Sequence, residues 1–276
     1  MGRLRAGWRL GMRSWSVLML EPRLMYLPLL AGAAGLVVFA VLGVPALLLS
    51  SAYDHPSVLS WALYAALTYL VVFLSSFSAA AVAAGALQRV ETGRTSVQAA
   101  FDAAWARRGQ FARWAALSTI VGLVLRAVEE RFGLVGSIVA RLMDAAWAVA
   151  SAFAIPVILV EDVGPGEAVK RSAAIVRARW GESVGGVVAV DVLLLPWLLL
   201  VIFGTILLVA AGFVVAALAV GVVGFVAYVV LSASLNAVAR ALLYRYATTG
   251  DPAGLGEDVT ATATFARRRR RRFGFG

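Results

Sequence analysis

Apolar residues fill six stretches of the chain at close to membrane-spanning length, and polar residues gather between them. Each helical residue rises about 1.5 Å, so about 20 are needed to cross a hydrocarbon core about 30 Å thick. Leu24–Ser50 and Val58–Leu87 meet this outright, and Gly185–Ala211 and Phe213–Ala237 follow as a closely spaced later pair. Phe111–Val128 and Phe132–Val160 are weaker: the unbroken apolar core of the first is only 12 residues, Trp114–Leu125, and the second contains Arg141 and Asp144. The pattern predicts an all-α fold, a polytopic transmembrane helical bundle of six spans over residues 1–247. A re-entrant hairpin at Trp114–Val160, leaving four full spans, fits the same loops.

The segments ahead of the odd-numbered spans have a helical period of their own. Leu4, Trp8, Met12, Trp15 and Met19 recur along one face, as do Val97, Phe101 and Trp105, and then Val169, Ala173, Val176 and Trp180. Arginine flanks each set, a combination suited to a helix lying in the headgroup layer. Three interfacial amphipathic helices are therefore expected, in three repeats of surface helix, span and returning span.

Composition explains why these stretches need lipid. Hydrophobic residues make up 62% of the 276 positions and charged ones 14%, with a mean hydropathy of +0.87, whereas soluble domains run near 45–50% and about 25%. The apolar run from Leu24 is too long for the core of a cleavable signal and reads as a retained first span. With no cysteine and one histidine, His55, the chain has no disulfide, thiolate metal site or two-histidine motif.

Charge supplies the orientation. Of 25 basic residues, 22 fall before the odd spans or after the last one, Arg126 and Arg131 lie at the opposite side, and Arg141 lies within a span. Short cytoplasmic segments collect Lys and Arg, so both termini are expected in the cytoplasm of a multi-pass cell-membrane protein. Residues 248–276, with Gly250, Pro252, Gly254 and Gly256, read as a disordered cytoplasmic tail. It ends in Arg267, Arg268, Arg269, Arg270, Arg271 and Arg272 between aromatic residues, a candidate contact for anionic lipid headgroups. A solvated tail, or one that binds RNA or an acidic protein, stands behind that reading, with nucleic acid disfavoured by so apolar a chain.

Charges inside spans are costly and draw attention. Arg126, Arg141, Asp144 and Asp191 are the candidate intramembrane polar residues; Arg126 can pair with Glu130 four positions on, and Pro196 after Asp191 frees a carbonyl. Two readings are open. In one, Arg141 pairs with Asp144 and a neighbouring helix satisfies Asp191; in the other, these three line a path for an ion or small solute. Enzyme signatures are weak. Gly164 to Lys170 resembles a phosphate loop but lacks the glycine before the lysine and the hydroxyl residue after it, and Glu129–Glu130 and Glu161–Asp162 suit solvated helix ends better than a metal. No catalytic, cofactor-binding or metal residue is predicted. A non-enzymatic scaffold with a basic cytoplasmic surface is expected, with anionic lipids and a protein partner or second copy as partners; a transporter or channel is the alternative.

Ser14-Trp15, Pro28-Leu29-Leu30, Val121-Gly122-Leu123 through Arg126, Ala145-Ala146-Trp147, Pro156 through Glu161 to Gly164-Pro165-Gly166-Glu167-Ala168, Arg171-Ser172 and Arg179-Trp180-Gly181-Glu182 form a set. On these residues, over roughly Gly2–Tyr246, the chain is similar to an uncharacterised family of bacterial and archaeal integral membrane proteins, a domain of unknown function. More distantly it resembles the membrane domain found beside glycerophosphodiester phosphodiesterases, without their catalytic domain or histidines. The resemblance implies six spans and supplies no activity.

Overall fold

A computed structural model describes residues 12–52, 57–178 and 180–249, with the backbone alone at 52, 178 and 180–191. The described residues are helical throughout, joined by short turns and without strands. Residues 12–20 form α1, and a 3-10 turn, Pro22–Met25, leads into α2, Tyr26–Val38. A π-helical turn, Phe39–Gly43, carries α2 into α3, Val44–Ala52. Pro45 accounts for that turn, because a proline ring collides with the carbonyl four residues back unless the helix widens there. Gly43 then permits close approach: a Cβ on it would lie 2.6 Å from the Phe39 ring and 3.2 Å from the Leu67 side chain.

The remaining helices are α4, Val58–Thr92; α5, Val97–Trp105; α6, Arg108–Ala150; α7, Ala154–Glu161; α8, Pro165–Ala178; α9, Trp180–Ala210; and α10, Val214–Thr249. Two compact units result, one from Tyr26–Ala84 with Val97–Arg177, the other from the residues up to Met25, Gly85–Ser96 and the residues from Ala178 on.

In the first unit, α6 is two antiparallel arms. Gly133 at φ 54°, ψ −130° departs from helical geometry, in a region open only to glycine. The rings of Trp114 and Trp147 stack 5.8 Å apart; a straight helix would separate residues 33 positions apart by about 50 Å. The reversal comes two residues after the gap between Phe111–Val128 and Phe132–Val160, because the helix runs on through Phe132 and turns at Gly133. The expected second arm, however, does not run unbroken to Val160: Ser151–Phe153 interrupts it before α7. Pro156 is the cause, since it has no N–H for a helix running through it but fits the first turn of a new one. Phe153, Ala154, Pro156, Val157 and Ile158 are fully buried and form the centre of this unit with Phe111 and Ala80 to Val82.

In the second unit, α9 and α10 form a hairpin closed at Gly212, with Phe213 N–H donating to the Leu208 carbonyl and Gly212 N–H to that of Val209, the Schellman pairing of a helix end. Trp197 Nε1–H donates to the Gly224 carbonyl across the pair at 3.2 Å. The Pro22–Met25 turn packs on α10, whose buried residues gather from Ser234 to Tyr246.

Five helical stretches are long and apolar enough to cross a membrane: Pro22–Ser51, Val58–Thr92, Arg108–Glu161, Val192–Ala210 and Val214–Thr249. The third reverses at Gly133, so it supplies two of six apolar arms. Large side chains lie outside, with Leu134 at 86% and Val215 at 82% exposure, whereas alanines fill the interior at positions 80, 81, 83, 84 and 86. That inversion suits an apolar solvent, since small residues let helices approach where no hydrophobic drive exists.

In α1 and α5 the buried line lies about one residue of rotation from the expected one, whereas in α8 Val176 of the expected line is buried. Their buried lines are Ser14 and Leu18 in α1, Ala100 and Ala104 in α5, and Ala168, Ser172 and Val176 in α8. Met12, Met19, Phe101 and Trp105, expected together on the apolar face, sit instead at its exposed edge. The small line packs on protein, and the large line remains available to lipid.

Candidate functional site

The turn between α7 and α8 is built by charge and one hydroxyl. Asp162 adopts the left-handed conformation and its N–H donates to the Ile158 carbonyl, ending α7. Pro165 opens α8, whose first turn closes through Ala168 N–H to the Gly164 carbonyl at 2.9 Å. Ser172, wholly buried, accepts a hydrogen bond from Phe153 N–H at 2.9 Å. The break before α7 releases that N–H, and a buried donor needs a partner. Sequence reasoning placed Ser172 in a motif but could not assign its role, because its partner lies 19 positions away.

Arg171 bridges Glu161 at 2.9 Å and Glu167 at 3.4 Å. Arg107, in the turn before α6, reaches Asp162 at 3.8 Å, so the turns leading into α6 and α8 meet. The adjacent acids Glu161 and Asp162 are thus held by different arginines rather than converging on an ion. Among the described residues no group of three or more His, Cys, Asp or Glu could hold a metal.

Further basic residues lie on the helices that leave this junction, α6 and α8. Arg108 lies over the Trp105 ring, 5.1 Å from its centroid, and donates to the Trp105 carbonyl. Trp105 and Phe101 meet the Phe77 ring edge-on at 6.0 and 5.3 Å, which fixes α5 to α4. Trp105 nevertheless remains 49% exposed. Arg113, Lys170 and Arg177 are exposed and form no ion pair among the described residues. Guanidinium and ammonium groups beside a half-exposed indole can bind phosphate or carboxylate at a membrane boundary.

The span charges fall into different settings. Arg126 forms the expected pair with Glu130 at 3.0 Å, and its guanidinium also lies over the rings of Trp61 and Tyr64 at 5.5 and 5.6 Å. Those aromatic partners went unforeseen, although Trp61 and Tyr64 are spaced to share one face of α4. Arg141 and Asp144 correct the expectation: both are exposed, and no ion pair joins them. Sharing a helical face at three-residue spacing permits a pair but does not by itself form one. Each such charge costs about 2.5–3.5 kcal/mol at mid-bilayer on insertion scales. Asp191 lies on α9, where the side chain is outside the described residues, as are Arg267 through Arg272.

A family model matches residues 57–254, which include both turns, the basic residues of α6 and α8, and Arg126, Arg141 and Asp144. The chain belongs to the family of unknown function DUF6159. No curated protein and no solved structure matches it. The part shared with DUF6159 starts after Ser14-Trp15 and Pro28-Leu29-Leu30, so the likeness expected from Gly2 onward is shown only from residue 57. It ends before the arginine run, as expected.

Proposed function

We propose that this DUF6159 protein is a non-enzymatic membrane scaffold whose cytoplasmic surface binds anionic phospholipid headgroups. It crosses the cell membrane six times with both termini inside. The observation that carries this is that Arg108, Arg113, Lys170 and Arg177, on the two helices joined by the Arg107–Asp162 pair, lie exposed in the same unit as half-exposed Trp105. The first arm of α6 is about 37 Å long and the second about 26 Å before α7 continues it, lengths that support full crossings rather than a shallow hairpin. Basic groups near an anionic leaflet contribute about 1 kcal/mol each. Nanodiscs of phosphatidylglycerol should therefore raise the melting temperature above that in phosphatidylcholine. Arg108→Gln combined with Arg113→Gln, Lys170→Gln and Arg177→Gln should remove most of the difference. Equal stability of the wild type in both lipids would overturn the reading.

A transporter or channel has one observation in its favour. Gln110 Oε1, Ser118 Oγ and Thr119 Oγ1 on α6 are buried without a protein hydrogen-bond partner, so this arm has polar groups inside its unit. Under that reading Asp144→Asn with Asp191→Asn abolishes solute or proton flux into vesicles; unchanged flux rejects those residues as its path.

A further inference from the structure

The face of α6 that holds Arg141 and Asp144 is unfinished in a single chain. Both groups lie between the Gly133 turn and Trp147, some 12–16 Å down the second arm from its tip, a depth belonging to the hydrocarbon interior. Both are exposed and neither has an ionic partner among the described residues. On a helical wheel Ser137, Arg141, Asp144 and Ala148 share one stripe, flanking the line of Gly136, Ala140 and Trp147 that faces the unit's own interior. Ile138 and Leu142 point to the opposite side and are more than 60% exposed, as lipid-facing residues should be.

We propose that this stripe is where a second copy of the chain packs. The charge pattern selects a copy of the same chain over lipid or an unrelated partner. Copies inserted in one orientation are related by a twofold axis along the membrane normal, and their second arms run parallel. Acid and base one turn apart, about 4.5 Å along the axis, are then self-complementary: Arg141 reaches Asp144 of the partner subunit, and the same contact repeats across the axis. The two side chains are not joined within their own helix, so both remain open to a neighbouring one. Ser137 and Ala148, above and below the charges, are small enough for backbones to come close. The proposal is independent of headgroup binding and requires only that the arm lie in the membrane.

The absence of native cysteine makes the test direct. Ser137→Cys and Ala148→Cys, each alone, are oxidised in native membranes with copper phenanthroline. Both should give a disulfide-linked dimer, whereas Ile138→Cys and Leu142→Cys should not. In the Ala148→Cys background, Arg141→Asp places like charges across the axis and should lower the dimer yield about tenfold or more, given the coupling of close interfacial charge pairs. Adding Asp144→Arg exchanges the charges and should restore it, a recovery that a folding defect would not show. Absence of the dimer at both stripe positions, equal cross-linking at Ile138→Cys, or a charge exchange that fails to restore the dimer would each overturn the proposal.

Discussion

Single residues decide where this chain interrupts its helices. Ser172 is the clearest case, because its hydroxyl supplies the acceptor for the N–H that the break before α7 leaves open. Ser172→Ala would leave a buried donor without a partner and should cost about 1–3 kcal/mol, while Ser172→Thr keeps the oxygen and should cost less. Thermal unfolding in a mild detergent compares the two; equal stability of Ser172→Ala and wild type would mean the bond contributes nothing. Arg171 is different: half-exposed, its pairs with Glu161 and Glu167 lie in the range of surface ion pairs and serve mainly to set the direction of α8. Of the individual site residues, Arg126–Glu130 was legible because helical spacing alone specifies it. Arg141–Asp144 was misleading for a comparable reason: spacing says which residues share a face, but not whether their charged ends meet.

At the scale of elements, hydropathy located the apolar arms closely, and placed the reversal of α6 within a few residues of Gly133. It did not show which line of each surface helix is buried. Large residues such as Met12 and Trp105 dominate any hydrophobic pattern, yet the protein-facing lines, Leu18 and Val176 apart, are alanine and serine, whose weak signal merges with the polar face. The interruption at Ser151–Phe153 was equally hidden, since those residues tolerate a helix and the signal lay downstream in Pro156. The turn at Gly133 allows a sharper test. Its backbone suits glycine alone, so Gly133→Ala should destabilise the hairpin of α6 by about 1–3 kcal/mol. The hairpin can be followed by cross-linking Trp114→Cys to Trp147→Cys, whose rings stack in the folded protein. A variant as stable and as readily cross-linked as its parent would show that the turn is made elsewhere.

For the whole molecule, class was the most legible property, because a chain with 62% hydrophobic residues and large side chains turned outward has to be solvated by lipid. Activity was the least legible. The family match reaches 57–254 and brings no reaction with it, and the described residues hold no cluster of metal-binding groups. What the structure adds is a contrast between two surfaces: basic residues with tryptophan at one end of the first unit, and a turn at Gly133 beside Glu129 and Glu130 at the other end of α6. The account stands on those ends lying across the membrane from one another. A chain lacking native cysteine can report this through two single substitutions, Glu129→Cys and Glu167→Cys, probed in intact cells with a membrane-impermeant maleimide. Glu129→Cys should label from outside and Glu167→Cys only after lysis. Protection of Glu129→Cys in intact cells, or labelling of Glu167→Cys there, would contradict six crossings with the arginine-rich ends in the cytoplasm.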